Sequence, residues 1–121
     1  MAERAMPSFR PSPPELVERF GAVLAGYPTA VRRKMFGYPS GFVNGTLVTG
    51  LFGNGWHVRL AEADQAEVLA AGGRPFEPMA GRTMRGYVML PDDVLADDAG
   101  LRAWLDRAVA FGRSLPAKPK R

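Results

Sequence analysis

Cysteine is absent from the 121 residues and histidine occurs once. Thiol catalysis, disulfides and cysteine-based zinc sites are excluded together, and the composition is compatible with a reducing compartment. Long apolar runs are missing too. No segment approaches the roughly 18 apolar residues of a membrane span, and the opening Met-Ala-Glu-Arg-Ala-Met-Pro has no apolar run of signal-peptide length. A soluble, cytoplasmic protein with no membrane partner is expected. There is no internal repeat, and neither Gly-x-x-x-x-Gly-Lys-Ser/Thr nor Gly-x-Gly-x-x-Gly occurs, so the usual phosphate loops are ruled out. Acidic residues are outnumbered, 12 against 16 basic, giving a net charge of +4 and a pI near 10.0. That balance implies a mild attraction to polyanions and decides nothing without clustering.

What is present reads as one small α+β domain over residues 12–115, between a leader at 1–11 and a basic tail at 116–121. Ser12-Pro13-Pro14-Glu15 has the spacing of a capping box. Leu16, Phe20, Val23 and Leu24 then recur at helical spacing, Glu15 and Arg19 are placed to pair, and Gly26 and Pro28 end the helix. An antiparallel meander follows between Val31 and Leu60. Strands are expected at 32–36, 42–43, 46–52 and 56–60, with a loop over 37–41 and tight turns at Asn44-Gly45 and Asn54-Gly55. Alternation sends Trp56, Val58 and Leu60 to a helix-covered face and His57 and Arg59 to a polar, accessible one.

The period becomes helical from Glu62 to Ala71, with Ala66, Leu69 and Ala70 inward and Gly72-Gly73 as the stop. Residues 74–83 are too punctuated for regular structure, though Phe76 and Met79 are suited to anchoring in the core. Strand character returns over 84–90, with Gly86 marking a bulge or a close contact. A short helical turn at 92–96 precedes the last helix, capped by Asp97-Asp98. Its Leu101, Trp104, Leu105, Ala108, Gly112 and Leu115 follow a 3.6-residue period. The first and last helices should pack on the face of Trp56, with Trp104 deep in that layer.

Arg33-Lys34-Met35-Phe36-Gly37, Phe42-Val43-Asn44-Gly45, Val58-Arg59-Leu60, Pro75 to Arg82 and Met84 to Pro91 succeed one another in an order and spacing that resemble the TfoX (Sxy) N-terminal domain family. The resemblance spans most of the chain. It implies an antiparallel sheet flanked by helices, similar also to YjbR-like proteins, and an association with the regulation of bacterial competence. Regulators that give the family its name carry a further helical C-terminal domain. Tyr38-Pro39 stands where glycine is more usual after Met-Phe-Gly, so a different loop geometry is expected there. The family brings no catalytic residues, metal ligands or cofactor.

Two surfaces follow as candidates. Phe36, Tyr38 and Pro39 are the hydrophobic residues expected at a protein-interaction site, with an unidentified protein as the partner. Arg32, Arg33 and Lys34, joined by Arg82 and Arg85, are the alternative, a nucleic-acid-binding patch whose affinity would fall with salt. The same charges on a strand edge are equally explained as protection against aggregation. His57 lacks a second ligand or a serine partner in its motif. Glu62, Asp64 and Glu67 are accounted for by the dipole of their helix. Convergence of Arg59, His57 and Arg85 on one enclosed cationic pocket would favour an enzyme acting on an anionic substrate.

Overall fold

The computed structural model describes residues 11–116. The expected leader and tail therefore lie outside the described residues except for Pro11 and Pro116. In chain order the elements are α1 (Pro14–Leu24), β1 (Val31–Met35), β2 (Tyr38–Val43), β3 (Thr46–Phe52), β4 (Gly55–Arg59), α2 (Glu62–Ala70), β5 (Arg74–Pro75), β6 (Tyr87–Met89), α3 (Asp92–Leu95) and α4 (Asp98–Ser114). The strands form one antiparallel sheet in the order β1-β2-β3-β4-β6-β5.

The meander is as expected, because two-residue connections leave consecutive strands no choice but to pair. Two of the three turns sit elsewhere than the sequence suggested. Residues 37–41, read as a loop, are mostly β2, since Phe36 and Gly37 close the first hairpin at φ 57° and 81°. Asn44-Gly45 repeats that geometry at 53° and 77°. The third turn is Gly53-Asn54 rather than Asn54-Gly55. Phe52 pairs with Gly55, and Gly53 alone takes the positive φ, 59°, as a hairpin with glycine first in its turn requires.

The helix-covered face holds the main core, in which Phe20, Leu24, Trp56, Val58, Leu60, Val68, Leu101, Leu105 and Ala108 are buried together. Phe20 and Trp56 have ring centroids 5.1 Å apart. The Trp56 indole donates to Thr49 Oγ1 at 2.8 Å and that hydroxyl donates to the His57 carbonyl at 2.8 Å, so the polar atoms here are satisfied. The β2–β3 register slips between Gly41 and Phe42, leaving Val48 without a cross-strand partner. Val48 abuts α4 at Gly112, where an added Cβ would stand 2.5 Å from its Cγ1.

Several local expectations yield to tertiary contacts. The Ser12 capping box does not form; its hydroxyl donates to the Gly53 carbonyl at 2.7 Å and Pro13 occupies the cap. Arg19 turns from Glu15 to the Leu95 carbonyl and to Asp98. In α2 only Val68 is buried, and Ala66, Leu69 and Ala70 face outward. Val68 alone turns α2 into the main core, and Arg107 of α4 pairs with Asp64 and Glu67 at the surface. Trp104 is half-buried at the border of the core, with the Arg107 guanidinium 4.5 Å from its ring, and is not the deep anchor its spacing implied.

The largest correction concerns the second face of the sheet. It is closed over by the segment between β5 and β6. Phe76 is buried with Leu47, Tyr87 and Met89, while Met35, Phe42, Phe52 and Met84 complete the cluster. His57 is only 3% exposed, stacked on Phe76 with centroids 4.1 Å apart and planes at 14°. Phe76 is thus the anchor its sequence suggested, whereas Met79 is 45% exposed. Residues 84–86 stay outside β6, because Gly86 lies in a turn at φ 93° and gives its carbonyl to the Leu60 N–H.

Candidate interaction surface

β1 is an edge strand, and Val31, Arg32, Arg33 and Lys34 are all exposed. Its free edge can be mapped from the turn. The pair closing a two-residue hairpin, Met35 with Tyr38, is hydrogen-bonded, and antiparallel alternation extends this to Arg33 with Ser40 and Val31 with Phe42. The peptide groups of Arg32 and Lys34 then point away from the sheet. Pro39 opposite Lys34 agrees, since a proline has no N–H to give at that position.

The side chains divide by face. Arg32 lies against α1, with Nη1 placed 2.9 Å from where a Cβ on Gly21 would be. Arg33 projects to the other face, its guanidinium 5.8 Å from the Phe42 ring centroid. Val17, Arg32, Arg33, Lys34 and Pro39 line a groove of about 290 Å³ along the edge. Among the described residues no carboxylate forms an ion pair with these cations.

Phe36 stands at the tip of the same hairpin. A bulky residue in the left-handed region is an outlier, costing roughly 1–2 kcal/mol, which Asn44 in the equivalent place of the next turn largely escapes. Phe36 is 42% exposed, and its ring meets Phe52 edge-on at 6.5 Å. Tyr38, expected beside it at the surface, is buried against Phe52 at 5.0 Å. Of the three hydrophobic candidates, Phe36 and the half-buried Pro39 reach solvent. Of the basic candidates, Arg32, Arg33 and Lys34 share the groove. Arg82 and Arg85 are exposed on the β5–β6 connection, and β2, β3, β4 and β6 lie between β1 and β5 in the sheet.

His57 brings no charge to a cationic pocket with Arg59 and Arg85, because it is buried and neutral. Burial lowers the His57 pKa from 6.5 to about 3, so the ring is neutral, and its Nδ1 has no partner. Arg59 lies between the rings of Tyr87 and Phe111, at 5.5 and 5.9 Å from their centroids. Tyr87 donates its hydroxyl to the Leu47 carbonyl at 2.8 Å, and burial raises its pKa. A larger cleft of about 590 Å³ runs along Phe52, Asn54, Arg74, Phe76, Glu77 and Asp92, where charges of both signs meet. No group of three or more His, Cys, Asp or Glu among the described residues could hold a metal ion. No helix among them is long and apolar enough to cross a membrane.

The sequence profile of the TfoX N-terminal domain family matches residues 22–112. The chain belongs to that family. No curated protein matches it. The matched span runs from the last turn of α1 almost to the end of α4 and includes the whole sheet, the β1 edge and Phe36. Membership supports, at a coarse level, a regulatory module of a non-catalytic family.

Two features of this TfoX N-terminal domain were not legible as site features in its sequence. One is the strain at Phe36, hidden because local preference starts the turn one step later, at Gly37. The other is the buried His57. Its one available signal was Gly50 across from it, whose missing side chain makes room: a Cβ there would meet His57 Nε2 at 2.8 Å and Ser40 Oγ at 2.9 Å.

Proposed function

We propose that this TfoX N-terminal domain is a non-enzymatic, cytoplasmic protein-interaction module serving regulation, and that the β1–β2 hairpin is its contact surface. The observation that carries this reading is Phe36, an aromatic ring kept substantially exposed on a backbone conformation that asparagine or glycine would hold at lower cost. Strain of this kind at an exposed tip is expected where the side chain is needed for recognition. The test is affinity capture with wild type and Phe36→Asn. The variant should melt at the same temperature or higher, since asparagine suits the left-handed turn, yet lose the proteins captured by the wild type. Equal capture by both would end this reading. Tyr38→Ala is a poor probe, because Tyr38 is buried and its loss disturbs the core.

A second reading is supported by the basic groove itself, in which Arg32, Arg33 and Lys34 gather on one edge. It is weak binding of DNA or RNA through these residues, with Arg82 and Arg85 of the β5–β6 connection contributing. Binding would appear at low ionic strength and fall steeply with salt. Absence of any mobility shift at low salt contradicts it.

A further inference from the structure

We infer that the free edge of β1 receives an extended acidic peptide segment of a partner protein as an added antiparallel or parallel strand. This rests on the hairpin being the contact surface and specifies the chemistry of what binds there. Three observations converge. The peptide groups of Arg32 and Lys34 are turned outward, so the edge offers a ladder already spaced for a strand. The three consecutive cations fall on alternate faces, with Arg32 and Lys34 toward α1 and Arg33 toward Phe42. A strand laid along this edge would therefore meet positive charge on both of its faces, which suits acidic residues at successive positions. The groove between Val17, Lys34 and Pro39 lies beside that path and gives an apolar side chain somewhere to rest.

The same charges argue against the two other occupants. A second copy of β1 would set arginine and lysine against arginine and lysine, and like charges directly opposed are destabilising. A nucleic acid would use the side chains but leave the outward peptide groups without a strand to pair with.

The experiment uses the full chain and a fluorescein-labelled peptide of about nine residues in which a run of successive glutamates is flanked by valines, with the same peptide carrying lysines in their place as control. Wild type should bind the first and not the second. Lys34→Gln removes one charge and should weaken binding by about threefold, whereas Lys34→Pro also removes the outward N–H and should weaken it at least about tenfold further. The Lys34 N–H is not used by β2, so the hairpin should survive the proline. Should Lys34→Pro melt early, Arg32→Pro against Arg32→Gln repeats the comparison at the other outward position. Backbone amides of Arg32 and Lys34 should exchange more slowly in the complex.

Equal binding by the glutamine and proline variants would overturn strand addition, as would a DNA oligonucleotide binding as tightly as the peptide and equally to the proline variant. A dimer of the free chain that Lys34→Pro dissolves would make a second copy the occupant and overturn it too. If the acidic peptide fails to bind while Phe36→Asn still abolishes partner capture, this inference falls and the proposed function stands. Peptide binding that depends on the outward N–H, with capture indifferent to Phe36→Asn, would uphold the added strand and refute the hairpin tip.

Discussion

His57 occupies the centre of β4 with the Phe76 ring stacked on it and Tyr87 edge-on at 6.0 Å, and it is kept neutral by burial. Its pKa lies at about 3 in the folded chain against 6.5 ordinarily, so between those values the unfolded chain takes up a proton that the folded one refuses. Stability contributed by the neutral ring is complete above pH 6.5 and declines below it by on the order of 1.4 kcal/mol per pH unit, down to the folded pKa. Denaturant titrations at pH 8 and pH 5 should show this loss for the wild type and a smaller one for His57→Phe, which retains the stack without the proton. His57→Ala should cost about 2–4 kcal/mol at pH 8 through the cavity it leaves, and less at pH 5, where the wild type has already lost part of what the neutral ring contributes. A harmless alanine there would contradict the buried placement. Alternation alone put His57 on the correct face of the strand. What it could not supply is that this face is roofed, because the roof comes from residues 76–86, remote in sequence and without periodicity. Phe36 illustrates the same limit, since a two-residue turn beginning at a phenylalanine runs against local preference and is imposed by the pairing on either side.

At the level of elements, α4 is fixed on β3 by the absence of a side chain at Gly112, which lets Val48 of the bulge approach. Gly112→Ala would gain about 1 kcal/mol of helix propensity in isolation but must displace a branched side chain. A net loss of about 1–3 kcal/mol by thermal melt is expected, and a gain would show that α4 can slide. Trp56 and Trp104 should differ sharply. Trp56→Ala removes a fully buried ring and the donor to Thr49, costing about 3–5 kcal/mol, while Trp104→Ala at the half-buried border should cost less than about 2 kcal/mol. The existence of these elements was readable from periodicity and turn residues. Which face of α2 turns inward was not, because the contact that decides it, Val68 in a core shared with α1, β4 and α4, joins residues far apart in the chain.

For the molecule as a whole, the sheet is covered on both faces over its central strands and open at its edges. One edge is the two-residue β5; the other is β1, five residues long, basic and continuous with the exposed ring of Phe36. A family profile matched over residues 22–112 makes the domain a TfoX N-terminal domain, and the open β1 edge is the contact surface proposed for it. The most direct measurement is hydrogen–deuterium exchange of the chain, free and in complex with its captured partner. New protection is predicted over residues 31–39, strongest at the outward amides of Arg32 and Lys34. Protection confined to the Arg74–Glu77 cleft or to α4, with the hairpin unchanged, would contradict the account.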